Sequence, residues 1–187
     1  MPPKIKITRE DIIKTAIALV KEKGEESVNA RSIAASLGCS TQPVFSNFSS
    51  MEELDRAILE KAFEEYLFFL QNEAKKERYP KYKAYGMAYI NFAKEERELF
   101  KMLFMRDRRG EELSATPDAD ESVEMIMEAN EISREKAELM HMEMWICVHG
   151  IATMIATSFF EPKEELISGM ISDIYSGVRT VHVLKEN

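Results

Sequence analysis

The side chains best suited to chemistry lie in one stretch, Asn29 to Phe48, NARSIAASLGCSTQPVFSNF. Gln42 carries an amide that can bond adenine bidentately. Thr41 and Ser46 carry hydroxyls that can reach base edges or phosphates, and the Thr41 methyl can meet a thymine methyl. Asn47 could read adenine, but its place toward the segment's end suits a phosphate better. Arg31 offers a cation to a phosphate backbone without reading sequence, as do Lys4, Lys6 and Arg9 near the N-terminus. No arginine falls within 40–48, so strong guanine recognition is not expected. The chemistry leans toward A/T base pairs.

Two short helices and a tight turn would position these groups. Ala30, Ile33, Ala34 and Leu37 recur at helical spacing and form one apolar face. Gly38 follows them, where a helix ends in the left-handed conformation that glycine adopts at little cost. Cys39 is a small apolar plug, and Ser40 is a good N-cap for a second helix. That helix buries Val44 and Phe48, four residues apart, and leaves its polar residues outward. This is the layout of a DNA-reading helix-turn-helix; an ordinary helical hairpin is the alternative for these residues alone.

The chain has 187 residues, 45% of them apolar and 31% charged, with seven glycines and six prolines. That composition favours long helices and a substantial core. No apolar run approaches the roughly 20 residues that span a bilayer, and MPPKIKITRED is no signal segment. The sequence therefore predicts a cytoplasmic protein that leaves membranes alone. Cys39 and Cys147 are expected as buried thiols rather than a disulfide. Net charge is −8, but residues 1–50 carry +2 and the remainder −10. A mildly basic head on an acidic body suits a protein that meets phosphates at one end.

Periodicity predicts about nine helices and no strand. Thr8 to Asp11 is a capping box for the first helix, which Gly24 closes. Ser49 with Glu52 and Ser50 with Glu53 are overlapping boxes for a long fourth helix, to about Lys76, which joins head to body. A fifth helix follows Pro80. Leu99 to Met105 form an apolar run that must be buried nearly all round. Arg106 to Asp120 read as a surface loop. A seventh helix spans Glu121 to Ala129, an eighth runs from the Ser133 cap to about Phe160, and a ninth, with Pro162 in its first turn, runs to about Val183. The division expected is 6–50 for DNA binding and 51–187 for ligand binding and dimerisation.

Residues 8–54 resemble the N-terminal domain of the TetR family of bacterial transcriptional repressors. The likeness rests on the capped first helix ending at Gly24, Ile33-Ala34, Leu37-Gly38, Ser40, the pair Phe45 and Phe48, and the Glu-Glu-Leu entering the fourth helix. In the body, Tyr89-Ile-Asn-Phe-Ala93, Glu98-Leu-Phe100 and Trp145-Ile-Cys-Val-His-Gly150 are similar to one branch of that family. The resemblance implies a homodimer, operator DNA as partner and a small-molecule inducer. It also exposes two departures: tyrosine is usual where Phe45 stands, and lysine is common where Met51 stands. Both would contact phosphates, so each absence should lower affinity and reduce the salt slope by about one unit. Phe45 can then only pack.

The chain's 12 methionines, nearly all after Ser50, and the body's aromatic residues suit a pocket for apolar ligands. The candidate lining is Tyr89, Phe92, Phe100, Phe104, Met144, Trp145 and His149, with Phe159 in the same aromatic set. Tyr89, Asn91 and His149 could orient a small apolar or weakly polar effector. The last two helices, about 133–160 and 162–183, would pair with their copies as a four-helix interface, with Gly150, Ala152, Ala156, Ser168 and Gly169 permitting close approach. His141, His149 and His182 lack metal-ligand spacing, and no phosphate loop or nucleophile elbow is present. No catalytic residue, metal or cofactor is expected. The reading is a ligand-released repressor. Its rival is a ligand-binding or interaction protein of the same fold whose DNA binding is weak or lost.

Overall fold

The computed structural model describes residues 7–107 and 119–184. Lys4, Lys6 and residues 108–118 of the expected surface loop lie outside them. The described residues form nine α-helices and no strand, so the all-α expectation holds. In chain order they are α1 (Arg9–Lys23), α2 (Ala30–Ser36), α3 (Gln42–Asn47), α4 (Met51–Ala74), α5 (Lys81–Glu95), α6 (Arg97–Phe104), α7 (Ala119–Asn130), α8 (Arg134–Ala156) and α9 (Glu164–Arg179). A 3₁₀ turn, Glu25–Ser27, follows α1, and a π-helical turn, Thr180–Leu184, extends α9.

Local chemistry accounts for the first boundaries. Thr8 Oγ1 accepts from the Asp11 amide at 3.1 Å, and the Asp11 carboxylate accepts from the Thr8 amide at 2.9 Å, which closes the capping box. Gly24 ends α1 at φ 82°, and Gly38 turns the chain after α2 at φ 64°, backbone that glycine adopts without strain. Asn29 Oδ1 accepts from the amides of both Arg31 and Ser32 at 3.0 Å, capping α2. Several boundaries differ from the sequence reading: α7 begins at Ala119, two residues early, and α8 ends at Ala156, about four residues short of Phe160. Thr41, not Ser40, is the N-cap of α3, and it makes no side-chain capping bond. Pro162 lies one residue outside the N-cap of α9, which is Lys163.

The chain divides into two compact units. The first holds the described residues up to Tyr66 with Glu96–Arg106. Here α1 packs against α2, α3 and α6. Ile12, Ala16, Val20, Ile33, Val44 and Leu54 are buried, as are Leu99, Phe100 and Leu103. The apolar run in α6 thus joins this core. Its Phe104 ring meets Tyr66 edge-on at 5.1 Å and Phe100 at 5.2 Å. A boundary drawn at residue 50 separates groups that this packing unites, because Tyr66 and α6 complete the core around α1.

The second unit holds Leu67–Glu95 and the described residues from Asp107 onward. In it α8 packs against α5, α7 and α9. Val123, Ile126, Ala137 and Met140 form a buried cluster, with Tyr82, Tyr175 and Val178 against it. By length and composition alone α8 could cross a membrane, with a mean hydropathy of 1.3 over 18 residues. His141, Glu143 and His149 interrupt its apolar residues, so no uninterrupted apolar run of that length is present in it. Its apolar character has a local cause, since Ala137, Met140, Met144, Val148, Ile151 and Ile155 are all buried in this unit's core. Helix α4 continues through the boundary between Tyr66 and Leu67.

Candidate functional site

In the first unit α3 separates its two faces cleanly. Val44 and Phe48 are 1% and 2% exposed, while Gln42, Phe45 and Ser46 face solvent. Ser40 is also exposed, and Thr41 and Asn47 are half-buried. Ser46 Oγ donates to the Gln42 carbonyl at 2.8 Å, and Asn47 Nδ2 donates to the Pro43 carbonyl at 2.8 Å. Ser46 keeps its lone pairs, and Asn47 keeps its carbonyl oxygen and one N–H. The Gln42 amide is engaged by nothing among the described residues. Phe45 departs from the expectation that it packs: its ring is 57% exposed, on the same outward side as Gln42 and Ser46.

The cations of this unit are mostly engaged. Arg9 Nη1 donates to the Asn47 carbonyl at 3.0 Å and to Glu53 at 2.7 Å, and the guanidinium lies over the Phe48 ring. These bonds use Nη1 alone and tie Arg9 to α3 and α4, so a phosphate contact by this half-exposed guanidinium competes with them. Lys14 pairs with Glu10, Lys21 with Glu65 and Glu96, and Lys23 with Glu22. Among the described cations of α1–α3, the exposed Arg31 guanidinium has no ion-pair partner. The paired cations belong to pairs that water already screens, so they retain some attraction for phosphate. Ser50 Oγ accepts from the Glu53 amide at 3.3 Å, as the second expected box has it, while the Glu53 carboxylate accepts from the Ser49 amide and hydroxyl at 2.8 and 2.7 Å, one residue further back than expected.

The second unit contains a cavity of about 610 Å³, a size that suits a drug-sized molecule. From α5 come Tyr82, Tyr85 and Tyr89; from α7, Ser122, Met125 and Glu128; from α8, His141, Met144, Trp145 and Val148; from α9, Ile171 and Tyr175. Tyrosine–histidine pairs join α5 to α8 at two levels. Tyr82 Oη is 3.1 Å from His141 Nδ1, and Tyr89 Oη is 2.8 Å from His149 Nδ1. The Trp145 ring stacks on His149 at 4.9 Å with an interplanar angle of 11°. Burial pushes the His141 imidazole below its ordinary range, so it stays neutral in neutral solution.

Of the candidate lining, Tyr89, Met144 and Trp145 do face this cavity. His149 does not; it sits behind two lining residues, bonded to Tyr89 and stacked on Trp145, and fixes their rings. Phe92 is 1% exposed and packs edge-on against Phe69 at 5.5 Å, so it is core. Phe100 and Phe104 belong to the first unit's core, as described above, and line no part of the cavity. Phe159 is 81% exposed at the end of α8, and Asn91 faces a separate small cavity. Sequence reasoning missed Tyr82, Tyr85, His141 and Tyr175 as lining. The i, i+3, i+7 recurrence of Tyr82, Tyr85 and Tyr89 on one helix face was the available signal. Among the described residues no group of three or more His, Cys, Asp or Glu side chains could hold a metal ion.

A helix-turn-helix in one compact unit and a cavity lined by four helices in the other define an all-α two-unit architecture. Residues 82–174 match the family described as "Tetracyclin repressor-like, C-terminal domain". The chain belongs to the TetR family. Among solved structures it is similar to a protein of unknown function from Rhodococcus sp. RHA1, at 20% identity and TM-score 0.72, covering 95% of this chain and 98% of that one. It is also similar to the multidrug binding protein EbrR complexed with imidazole, at 17% identity and TM-score 0.57, covering 89% and 93% respectively. At these identities both likenesses concern the fold. No curated protein matches in sequence.

Proposed function

We propose that the protein is a DNA-binding transcriptional regulator, a ligand-released repressor that holds a palindromic operator as a homodimer. The observation that carries this reading is the two-faced α3: Val44 and Phe48 anchor it, and Gln42, Phe45 and Ser46 stand out to solvent, with the unpaired Arg31 on the supporting helix. Gln42 reads adenine; Thr41, Ser46 and Asn47 contact bases or phosphates; Ser40 and Arg31 contact the backbone.

The dimer is built from α8 and α9. Leu139, Met142 and Ile146 are exposed along one stripe of α8, and Leu166 and Met170 along one of α9. Gly150 and Gly177 have no atom within 4 Å of a Cβ built on them, which leaves room for a partner helix. Ala152 and Ala156 are 0% and 1% exposed within their own protomer, so they serve its core instead of the interface suggested by their size. The cavity takes a small apolar or weakly polar effector. Its binding shifts the population, through α4, toward a form in which the two reading heads fit their half-sites poorly.

The rival reading, an effector-binding protein with weak DNA contact, is favoured by two observations: Arg9 Nη1 is bonded internally, and no tyrosine hydroxyl stands at position 45. A mobility-shift titration with the DNA upstream of the protein's own coding region, at several salt concentrations, separates the two. A salt-sensitive complex with a symmetric footprint is expected. Binding no tighter than to unrelated DNA would sink the repressor reading.

A further inference from the structure

The cavity's hydrogen-bonding groups are unequally engaged, and the imbalance selects a ligand. Asn130, at the end of α7, uses all of its amide. Nδ2 donates to the Ile126 carbonyl at 2.9 Å and to Tyr175 Oη at 2.9 Å, while Oδ1 accepts from Arg179 Nε at 2.9 Å. An arginine N–H and a carbonyl on opposite sides of the amide fix which end is oxygen, so its orientation follows from the bonds. Tyr175 Oη therefore accepts, and its own proton must go elsewhere. No acceptor for it exists among the described residues, and the ring lines the cavity. The chain Arg179 to Asn130 to Tyr175 begins at a cation, and each bond polarises the next, which makes the phenol a better donor.

None of the other polar lining groups is hydrogen-bonded to this donor. The Tyr82 and Tyr89 hydroxyls are paired with His141 and His149. Ser172 Oγ accepts from Lys83 Nζ at 2.8 Å and donates to the Ser168 carbonyl at 3.1 Å. Ser176 Oγ donates to the Ser172 carbonyl at 2.9 Å. Trp145 adds an indole N–H, a group that can only donate. The half-buried Lys83 ammonium retains donors beyond its Ser172 bond. Against these stands the carboxylate of Glu128, which is exposed at the cavity's edge.

We propose that the effector is a largely apolar, ring-containing molecule bearing an accepting oxygen, a carbonyl or carboxylate, which takes the Tyr175 proton. The proposal rests on the reading of this cavity as the effector site. It excludes a lipophilic cation as the preferred ligand, although aromatic walls and one acid would attract such a cation elsewhere.

The test uses the full chain and four probes on one skeleton: biphenyl, 4-acetylbiphenyl, biphenyl-4-carboxylate and trimethyl(4-phenylbenzyl)ammonium, each titrated by calorimetry. The ketone and the carboxylate are expected to bind at least roughly fivefold tighter than biphenyl and the ammonium. Tyr175→Phe should weaken the two oxygen-bearing probes by about five- to tenfold, the loss of one good hydrogen bond, and leave biphenyl unchanged. Equal affinities across the four probes, or tightest binding of the ammonium, overturns the inference while leaving the cavity as a binding site. Failure of all four to bind overturns the cavity reading and this inference together. The probe series needs no variant, so it decides the question even if Tyr175→Phe folds poorly.

Discussion

The Arg9 guanidinium lies 4.1 Å from the centroid of the Phe48 ring. It joins the start of α1 to the residue that ends α3, and its Nη1 donates to Glu53 on α4. One side chain thus fixes α3 against its neighbours within the first unit. Replacing Arg9 by alanine should lower the unit's stability by roughly 1 kcal/mol, the combined scale of an exposed cation–π contact and an exposed ion pair. Thermal melting followed by circular dichroism measures it, and an unchanged melt would mean the clip contributes nothing.

The same cluster carries an acid dependence. Hydrogen bonds from the Ser49 hydroxyl and amide, with Arg9 behind them, hold the Glu53 carboxyl down at about 2, against an ordinary 4.5. A carboxyl whose folded value is depressed binds protons more readily in the unfolded chain. Its stabilising contribution is therefore full above pH 4.5 and is lost as pH falls toward 2. Glu53→Gln removes that contribution. Denaturant titrations should show wild type and variant furthest apart near neutrality and converging below pH 3 or so. Parallel curves across the window would assign the acid sensitivity to other carboxylates.

Arg31 and Arg9 should behave differently toward DNA. Each phosphate neutralised by a cation releases about one counterion. Arg31, with no internal partner, should reduce the salt slope of operator binding by about one unit when changed to alanine. Arg9→Gln should change the slope by less than that, whatever it does to stability, because a phosphate contact competes with its bonds to Glu53 and the Asn47 carbonyl. Equal slope changes for both variants would show that the Arg9 clip opens on the operator.

How far the sequence revealed these features depended on the range of the interactions involved. Thr8 with Asp11, Gly24, Gly38, and the inward Val44 and Phe48 are all set by neighbours within four residues, and their pattern is visible in one dimension. The engagement of Arg9 is not, because Glu53 lies 44 residues away. Phe100 and Phe104 announced burial correctly, but apolarity does not say in which core. The cavity was legible only in part for the same reason. Tyr89, Met144 and Trp145 lie in obviously apolar helices, whereas Tyr175 and Asn130 acquire their roles from a bond that spans 45 residues.

Ile146 is 57% exposed in the middle of the α8 stripe and has the shape of an interface anchor. If α8 and α9 pair with their copies, Ile146→Glu buries an unpaired charge at the contact. Dimer dissociation measured by sedimentation should weaken by about thirtyfold or more, on the order of 2 kcal/mol, with operator affinity falling alongside it. A variant that stays dimeric would move the interface off this stripe.

Phe45 and Met51 allow the reading face to be tested by gain instead of loss. The Phe45 ring already stands 57% exposed, so a para hydroxyl enters solvent and disturbs no packing. Phe45→Tyr should tighten operator binding by roughly three- to tenfold, the scale of one added hydrogen bond. A neutral hydroxyl displaces no counterion, so the salt slope should stay as it was, which refines the expectation that both departures act on it. Met51→Lys brings a cation to the first residue of α4 and should steepen the slope by about 0.9. A filter-binding series in which the first variant shifts affinity alone, and the second shifts both affinity and slope, would establish that both positions face the phosphate backbone. If neither moves either quantity, DNA does not meet this face of α3, and the effector-binding reading takes its place.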